Sequence, residues 1–168
     1  MAASPEEHAS RALEDHRAKV ARELSPRRAG AGEGLPTGDP DSGVLLVLEP
    51  PETPAVLDAL RRSLDSVGHS HARVVPADER LMDEILSGGP AAIVAVGPRA
   101  ARALDELEYP LAHASFSEGS EARVGGWFVW SKGTRGLVLP ALAPALEDEE
   151  TKRGFWRAFL ALRGLEPA

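Results

Sequence analysis

Glu49 is the first side chain of this sequence that could do chemistry. It follows residues 44–48, a continuous apolar run (Val-Leu-Leu-Val-Leu) that predicts a strand covered on both faces. In an open parallel sheet, ligands bind beyond the carboxyl ends of the strands, where Glu49 would lie. A carboxylate at that place could act on a bound water molecule as a general base. The alternative is a solvated carboxylate that follows a strand.

A second candidate site lies in the loop Gly97-Pro98-Arg99-Ala100, which follows the apolar run 92–96 and precedes a predicted helix. Backbone amides at the start of a helix can bind an anion, and Arg99 could assist. The same small residues are equally explained by close packing of the helix on the preceding strand. Because no Gly-Lys-Ser/Thr occurs, the loop is not a phosphate loop. Gly97 and Arg99 are therefore candidate ligand-binding residues.

Histidine and aromatic side chains form two further groups. His69 and His71 could ligate a metal, but no third ligand is evident nearby, so two solvent-facing histidines are expected and no metal site is assigned. Trp127, Phe128 and Trp130 could form a stacking platform for single-stranded nucleic acid. In a strand, Phe128 and Trp130 would share one face and Trp127 the other, which predicts ordinary packing. No cofactor is predicted.

The elements that must position these residues alternate between apolar runs and amphipathic helices. Strands are predicted at 44–48, 72–75, 92–96 and 137–139, and helices at 54–67, 78–86, 98–107 and 149–162. Such alternation favours a parallel sheet with right-handed crossovers. We expect an α/β fold: a three-layer α/β/α sandwich with a mostly parallel four-stranded sheet. Residues 122–130 leave room for one irregular extra strand.

The N-terminal quarter is organised differently. Residues 4–24 predict a helix, since Ser4, Pro5 and Glu7 form a capping box with proline at the first helical position. Residues 25–42 are rich in Gly, Pro and Ser and predict a flexible linker, leaving 43–168 as the α/β domain.

The apolar stripe of the predicted helix is narrow, and its large members are Leu13, Val20 and Leu24. We interpret it as a tethered helix that binds a protein partner, with packing on its own domain or a frayed tail as the alternatives. On the first interpretation, deleting residues 1–40 should leave the domain stable.

Composition limits the remaining possibilities. The 168-residue chain has a formal net charge of −7 and no cysteine, which excludes disulfides and cysteine-held clusters. An acidic chain is poorly suited to many phosphate contacts, so direct nucleic-acid binding should be weak or absent. No apolar run approaches the ~20 residues that a membrane span needs, and the first ten residues lack signal-peptide features. We expect a cytoplasmic protein that does not bind membranes.

The C-terminal segment 137–163 resembles the last strand, motif loop and final helix of the uracil-DNA glycosylase superfamily. In that family the loop carries a His-Pro-Ser that stabilises the departing uracil; here Ala143-Pro144-Ala145 stands in its place. The loop around Glu49 is similar to the family's water-positioning loop but has lost both glycines. The resemblance implies an α/β fold of the same kind. It also implies that Glu49 would be the catalytic residue if the chain were an enzyme. It also implies loss of the usual chemistry.

Residues 140–156 also resemble the psi subunit of the bacterial DNA polymerase III clamp-loader complex, a non-catalytic α/β protein. The shared residues are Pro140-Ala141-Leu142 and, after an acidic turn, Phe155-Trp156. In that family a flexible N-terminal segment docks into the clamp loader, and the tethered helix 4–24 has the same layout. The sequence therefore favours a non-enzymatic adaptor in DNA replication or repair. A divergent glycosylase or other nucleic-acid-processing enzyme, and a small nucleotide- or anion-binding domain, remain as alternatives.

Overall fold

The computed structural model describes residues 34–117 and 124–165. Within them, five strands form one sheet in the order β2-β1-β3-β5-β4. Four of them are parallel and β4 is an antiparallel edge strand paired with β5. The strands span β1 Val44–Leu48, β2 Arg73–Pro76, β3 Ala92–Val96, β4 Phe128–Ser131 and β5 Thr134–Leu139.

The apolar runs predicted as strands are buried because helices cover both faces of the sheet. Alternate side chains of one strand point to opposite faces, so Leu46 and Leu48 belong to one core cluster while Leu45 and Val47 belong to the other. The first cluster includes Phe155 and Phe159 of the last helix. The α/β class and the mostly parallel sheet are therefore confirmed.

Two predicted helix starts have a side-chain cap, whereas the predicted helix 78–86 begins only at Leu81, because the Asp78 carboxylate accepts from the Arg80 amide in a turn that precedes it. Helix α1 spans Pro54–Ser66, with the Thr53 hydroxyl accepting a hydrogen bond from the Val56 amide at 3.2 Å. The last long helix is capped by Asp148, whose Oδ2 accepts from the Thr151 amide at 2.9 Å. The remaining helices are α2 Leu81–Gly88, α3 Pro98–Glu106, α4 Leu142–Ala145, α5 Glu149–Phe159 and a 3-10 turn Leu160–Gly164.

The sheet has one strand more than the four predicted. The turn Lys132-Gly133 joins β4 to β5 as a hairpin, which allows a fifth strand to pair antiparallel at the edge. Hairpin connections need only a few residues, so the extra strand follows from local turn geometry. Phe128 and Trp130 lie on one face and Trp127 packs on the other, as predicted.

The predicted linker 25–42 is too long at its C-terminal end. Leu35 is 2% exposed and belongs to the same core cluster as Leu46. The Thr37 amide donates to the Val74 carbonyl at 2.9 Å, and the Val74 amide donates back to the Thr37 carbonyl at 2.8 Å. The domain therefore includes residues from Leu35 onward. The predicted helix 4–24 lies outside the described residues.

Candidate functional site

The candidate site lies at the carboxyl ends of β1 and β3. These strands are neighbours at the point where the strand order reverses, the position at which α/β sheets usually open a crevice for ligands. Glu49 follows β1, and Gly97, Pro98 and Arg99 follow β3. The two loops that the sequence singled out separately are thus brought together by the pairing of β1 with β3.

The Glu49 carboxylate binds the start of helix α3. Its Oε1 accepts a hydrogen bond from the Arg99 backbone amide at 2.7 Å, across 50 residues of sequence. The first amides of a helix have no partner within the helix and attract negative charge. Gly97 precedes the helix but has no side chain to cap it. Glu49 therefore provides the cap from a neighbouring loop.

Gly97 is required by this contact. Its φ is +104°, a conformation that side chains other than glycine rarely adopt. A Cβ built at Gly97 would lie 2.0 Å from Glu49 Oε1 and 2.2 Å from its carboxyl carbon. The helix start also packs tightly, since Ala100 and Ala101 are fully buried. An anion at this helix start would meet a carboxylate that is already there.

A small cavity opens beside this contact, between the loop after β1 and helix α4. It has a volume of about 190 Å³, below the range of about 300–1,000 Å³ that is usual for ligand pockets. Its lining brings Glu49, Pro50 and Pro51 next to Ala143 and Pro144, with the remaining residues apolar. Glu49 is the one ionisable side chain in this lining, and no neighbour there offers a side-chain proton donor.

This geometry limits the chemistry of the site. A general base needs a free lone pair within hydrogen-bond reach of the water that it activates. One carboxylate oxygen of Glu49 is held by the Arg99 amide, and Ala143 cannot donate a hydrogen bond to a leaving group. The arrangement joins the start of α3 to the loop after β1, and among the side chains that line the cavity it leaves Glu49 Oε2 as the one free carboxylate oxygen and no hydrogen-bond donor for a leaving group.

The two histidines have different environments, and the prediction for His69 was wrong. His69 is 6% exposed, and its Nε2 lies 2.9 Å from the Leu162 carbonyl, so this nitrogen must carry the proton. His71 is exposed, as predicted. In the described part of the chain, no group of three or more His, Cys, Asp or Glu side chains is arranged to hold a metal ion.

The aromatic residues after residue 126 are packed into the protein. Trp127 Nε1 donates to the Ala161 carbonyl at 3.1 Å, and the Arg135 guanidinium lies 5.0 Å from its ring centroid. Trp130 is 2% exposed. Stacking of nucleobases needs exposed ring faces, so this group does not form the open platform considered from the sequence.

A polar cluster that no sequence pattern indicated surrounds Asp105 at the end of α3. Asp105 Oδ1 accepts from the Phe116 amide at 2.6 Å, and Oδ2 accepts from the Ser115 hydroxyl at 2.7 Å and the Ser117 amide at 2.9 Å. The Ser117 hydroxyl is a further donor to Oδ2. No periodicity or motif links a helix residue to a loop ten positions later, so only the fold reveals the cluster.

Asp105 should make stability depend on pH. Burial opposes its ionisation, but the hydrogen bonds from Ser117, Ser115 and Phe116 outweigh burial and hold its pKa below the ordinary value of 3.8. Since the folded-state pKa is the lower one, the stabilisation is present above pH 3.8 and is lost as pH falls through the folded pKa.

Replacement of Asp105 by asparagine should therefore lower the thermal midpoint at pH 7 by about 2–6 °C, because one oxygen cannot accept all of these bonds. The difference from wild type should shrink in scans at successively lower pH below 4. Asp65→Asn, at an exposed position on α1, is the matched control and should leave the midpoint unchanged. A pH-independent effect of Asp105→Asn would contradict the ionic role.

Comparison with known proteins leaves the family open. No protein-family model matches the chain, and no curated protein matches its sequence. None of the helices among the described residues has the length and apolar character to cross a membrane. Leu13, Val20 and Leu24, the predicted partner-binding residues, lie outside the described residues.

Proposed function

We propose that this chain is a non-enzymatic protein–protein interaction subunit on a uracil-DNA-glycosylase-like fold, acting in DNA replication or repair. The observation that supports it best is the engagement of Glu49 by the Arg99 amide at 2.7 Å. The one carboxylate at the expected catalytic position serves to hold two loops together. The likeness to the psi subunit of the bacterial clamp-loader complex, and a cytoplasmic location, are part of this proposal.

The lining of the 190 Å³ cavity also favours an adaptor. Around Glu49 it consists of apolar and proline residues, among them Ala143 at the position where the glycosylases carry histidine. Removing one such donor from an acyl-transfer enzyme costs about 10²–10³ in rate. A net charge of −7 further disfavours a function built on contacts with many phosphates.

The proposed contact with the protein partner is the helix 4–24. Leu13, Val20 and Leu24 form its apolar stripe, and a Gly- and Pro-rich segment separates it from the folded domain in sequence. A tether of that composition lets an amphipathic helix enter a groove on another protein. The partner that this stripe fits is a protein with an apolar groove.

Two alternative functions each have one supporting observation. For a divergent glycosylase, it is that Glu49 and Pro144 line one cavity at the end of the sheet. For a nucleotide- or anion-binding domain using Gly97 and Arg99, it is that the Arg99 amide binds an anionic group, here a carboxylate. Of the three candidate functions, the adaptor function is the one that requires residues 4–24.

The test is a quantitative co-purification of partners from the native source. Leu13→Asp combined with Val20→Asp should abolish capture of a partner, since each charge would have to enter an apolar groove. The matched control, Arg17→Asp with Arg22→Asp, changes charged positions of the same predicted helix and should retain capture. Unchanged capture by the Leu13/Val20 variant would contradict a helix-mediated adaptor.

A further inference from the structure

A second cavity lies at the end of α3 that is remote from Gly97. Its volume is about 330 Å³, within the range of small-molecule pockets. One wall is aromatic: the Tyr109 and Trp130 rings are stacked with centroids 4.7 Å apart and planes 19° apart. Trp130 is buried and Tyr109 is half-buried, so Tyr109 is the more accessible of the two stacked rings. This cavity is separate from the one beside Glu49.

The charged residues around this cavity favour a ligand with a positive charge. Asp105 and Glu108 line it together with His113, and no lysine or arginine does. The carboxyl end of a helix carries partial negative charge, and α3 has no basic residue in its last turn. The ion pairs Asp58–Arg62, Arg73–Glu84 and Asp78–Arg80 do not involve any residue of the cavity lining. The two carboxylates and the helix end together favour a positively charged ligand.

The two carboxylates have different roles. Asp105 accepts four hydrogen bonds from Ser115, Phe116 and Ser117, which leaves little capacity for a ligand. The exposed side chain of Glu108 takes part in none of the described hydrogen bonds or ion pairs. Glu108 is thus the acceptor available to a ligand. The Ser115 hydroxyl already donates to Asp105, so it is not free to donate to an anionic ligand.

We propose that this cavity binds an organic cation through its guanidinium or ammonium group. The Glu108 carboxylate accepts charge-assisted hydrogen bonds from the cation, and the Tyr109 ring provides a cation–π surface. The volume admits one arginine-sized group. The ligand is either a small free amine or the arginine or lysine side chain of another protein. The inference is independent of the proposed adaptor function.

The experiment is a titration of the full chain, observed by NMR at the His113 amide and the Trp130 indole N–H. L-arginine amide should give saturable shifts with a Kd of around 1 mM, as expected for a ligand of about a dozen heavy atoms. N-acetyl-L-citrulline amide, in which neither the side chain nor the α-nitrogen is charged, should bind at least about tenfold more weakly because it lacks the positive charge. Binding of the two compounds with equal affinity, or no saturable shift with L-arginine amide, would overturn the proposal.

Two variants locate the site. Glu108→Gln should weaken L-arginine amide binding by about tenfold while the thermal midpoint stays near that of wild type. Glu147→Gln removes an exposed carboxylate elsewhere and should bind as wild type does. Unweakened binding by Glu108→Gln would overturn the assignment.

A short peptide identifies the source of the cation. Acetyl-Gly-Arg-Gly-amide presents the arginine side chain without a free α-amino group. If it binds as well as L-arginine amide does, the site fits a protein side chain. If it binds much more weakly, while L-arginine amide still depends on Glu108, the site fits a small free amine.

Discussion

Leu35→Ala should lower the free energy of unfolding by about 2–5 kcal/mol, the usual cost of removing a buried leucine side chain and leaving a cavity. Leu35 is 2% exposed and packs in the core cluster that contains Leu46 and Phe159. Urea denaturation at constant pH measures the change. A loss of this size would establish that a segment with linker-like composition is part of the domain core.

The matched control is Leu86→Ala on helix α2. Leu86 is 63% exposed, so the same substitution should change stability by no more than about 0.5 kcal/mol. If Leu35→Ala has as small an effect as Leu86→Ala, the assignment of Leu35 to the core is wrong.

Chain deletions give a second measurement of the same boundary. Removing residues 1–33 should leave the midpoint of the domain nearly unchanged. Removing 1–40 also deletes Leu35, the paired hydrogen bonds of Thr37 with Val74, and Gly38, whose carbonyl accepts from Arg73 Nη1 at 3.2 Å. The longer deletion should therefore destabilise the domain, contrary to the expectation from sequence that it would be harmless.

Uracil excision should be absent. Incubated with uracil-containing single-stranded or double-stranded DNA, the full chain should give no abasic sites above the protein-free blank. The Glu49 carboxylate is held by the Arg99 amide, and Ala143 offers no donor to a departing base. Since enzymes typically accelerate reactions by at least about 10⁶-fold, the assay separates an active from an inactive chain by a wide margin.

The control for this assay is Glu49→Gln. If wild-type protein releases uracil and Glu49→Gln does not, Glu49 is a catalytic residue and the adaptor proposal fails. Activity that is equal in both preparations would indicate a contaminating enzyme, because a neutral amide cannot replace a carboxylate as a general base.

The sequence by itself determined most of the strands and helices of the domain. Apolar runs such as 44–48 and 92–96 predict strands covered on both faces, and both became central strands of the sheet. Thr53 with Pro54, and Gly97 with Pro98, mark helix starts that the structure contains. These features are readable because hydrophobic periodicity and capping act over a few residues and depend little on the rest of the chain.

Predictions from composition were wrong where a segment is held in place by residues that are distant in the sequence. Leu35 and Thr37 lie in a Gly- and Pro-rich stretch, yet they pack against the core and pair with Val74. His69, predicted to face solvent, is buried because the chain returns at Leu162, 93 residues later, and places a carbonyl 2.9 Å from its Nε2. Local sequence carries no information about such partners.

Only the tertiary structure decided what the candidate residues do. Glu49 and Arg99 are 50 residues apart and were separate candidates for catalysis and for anion binding. Parallel pairing of β1 with β3 sets their loops side by side, and the absence of a side chain at Gly97 lets the carboxylate reach the helix start. Negative charge and unpaired amides attract each other wherever the backbone brings them together, so one contact satisfies both groups. The sequence supplied the carboxylate and the helix start, and the fold determined that they meet.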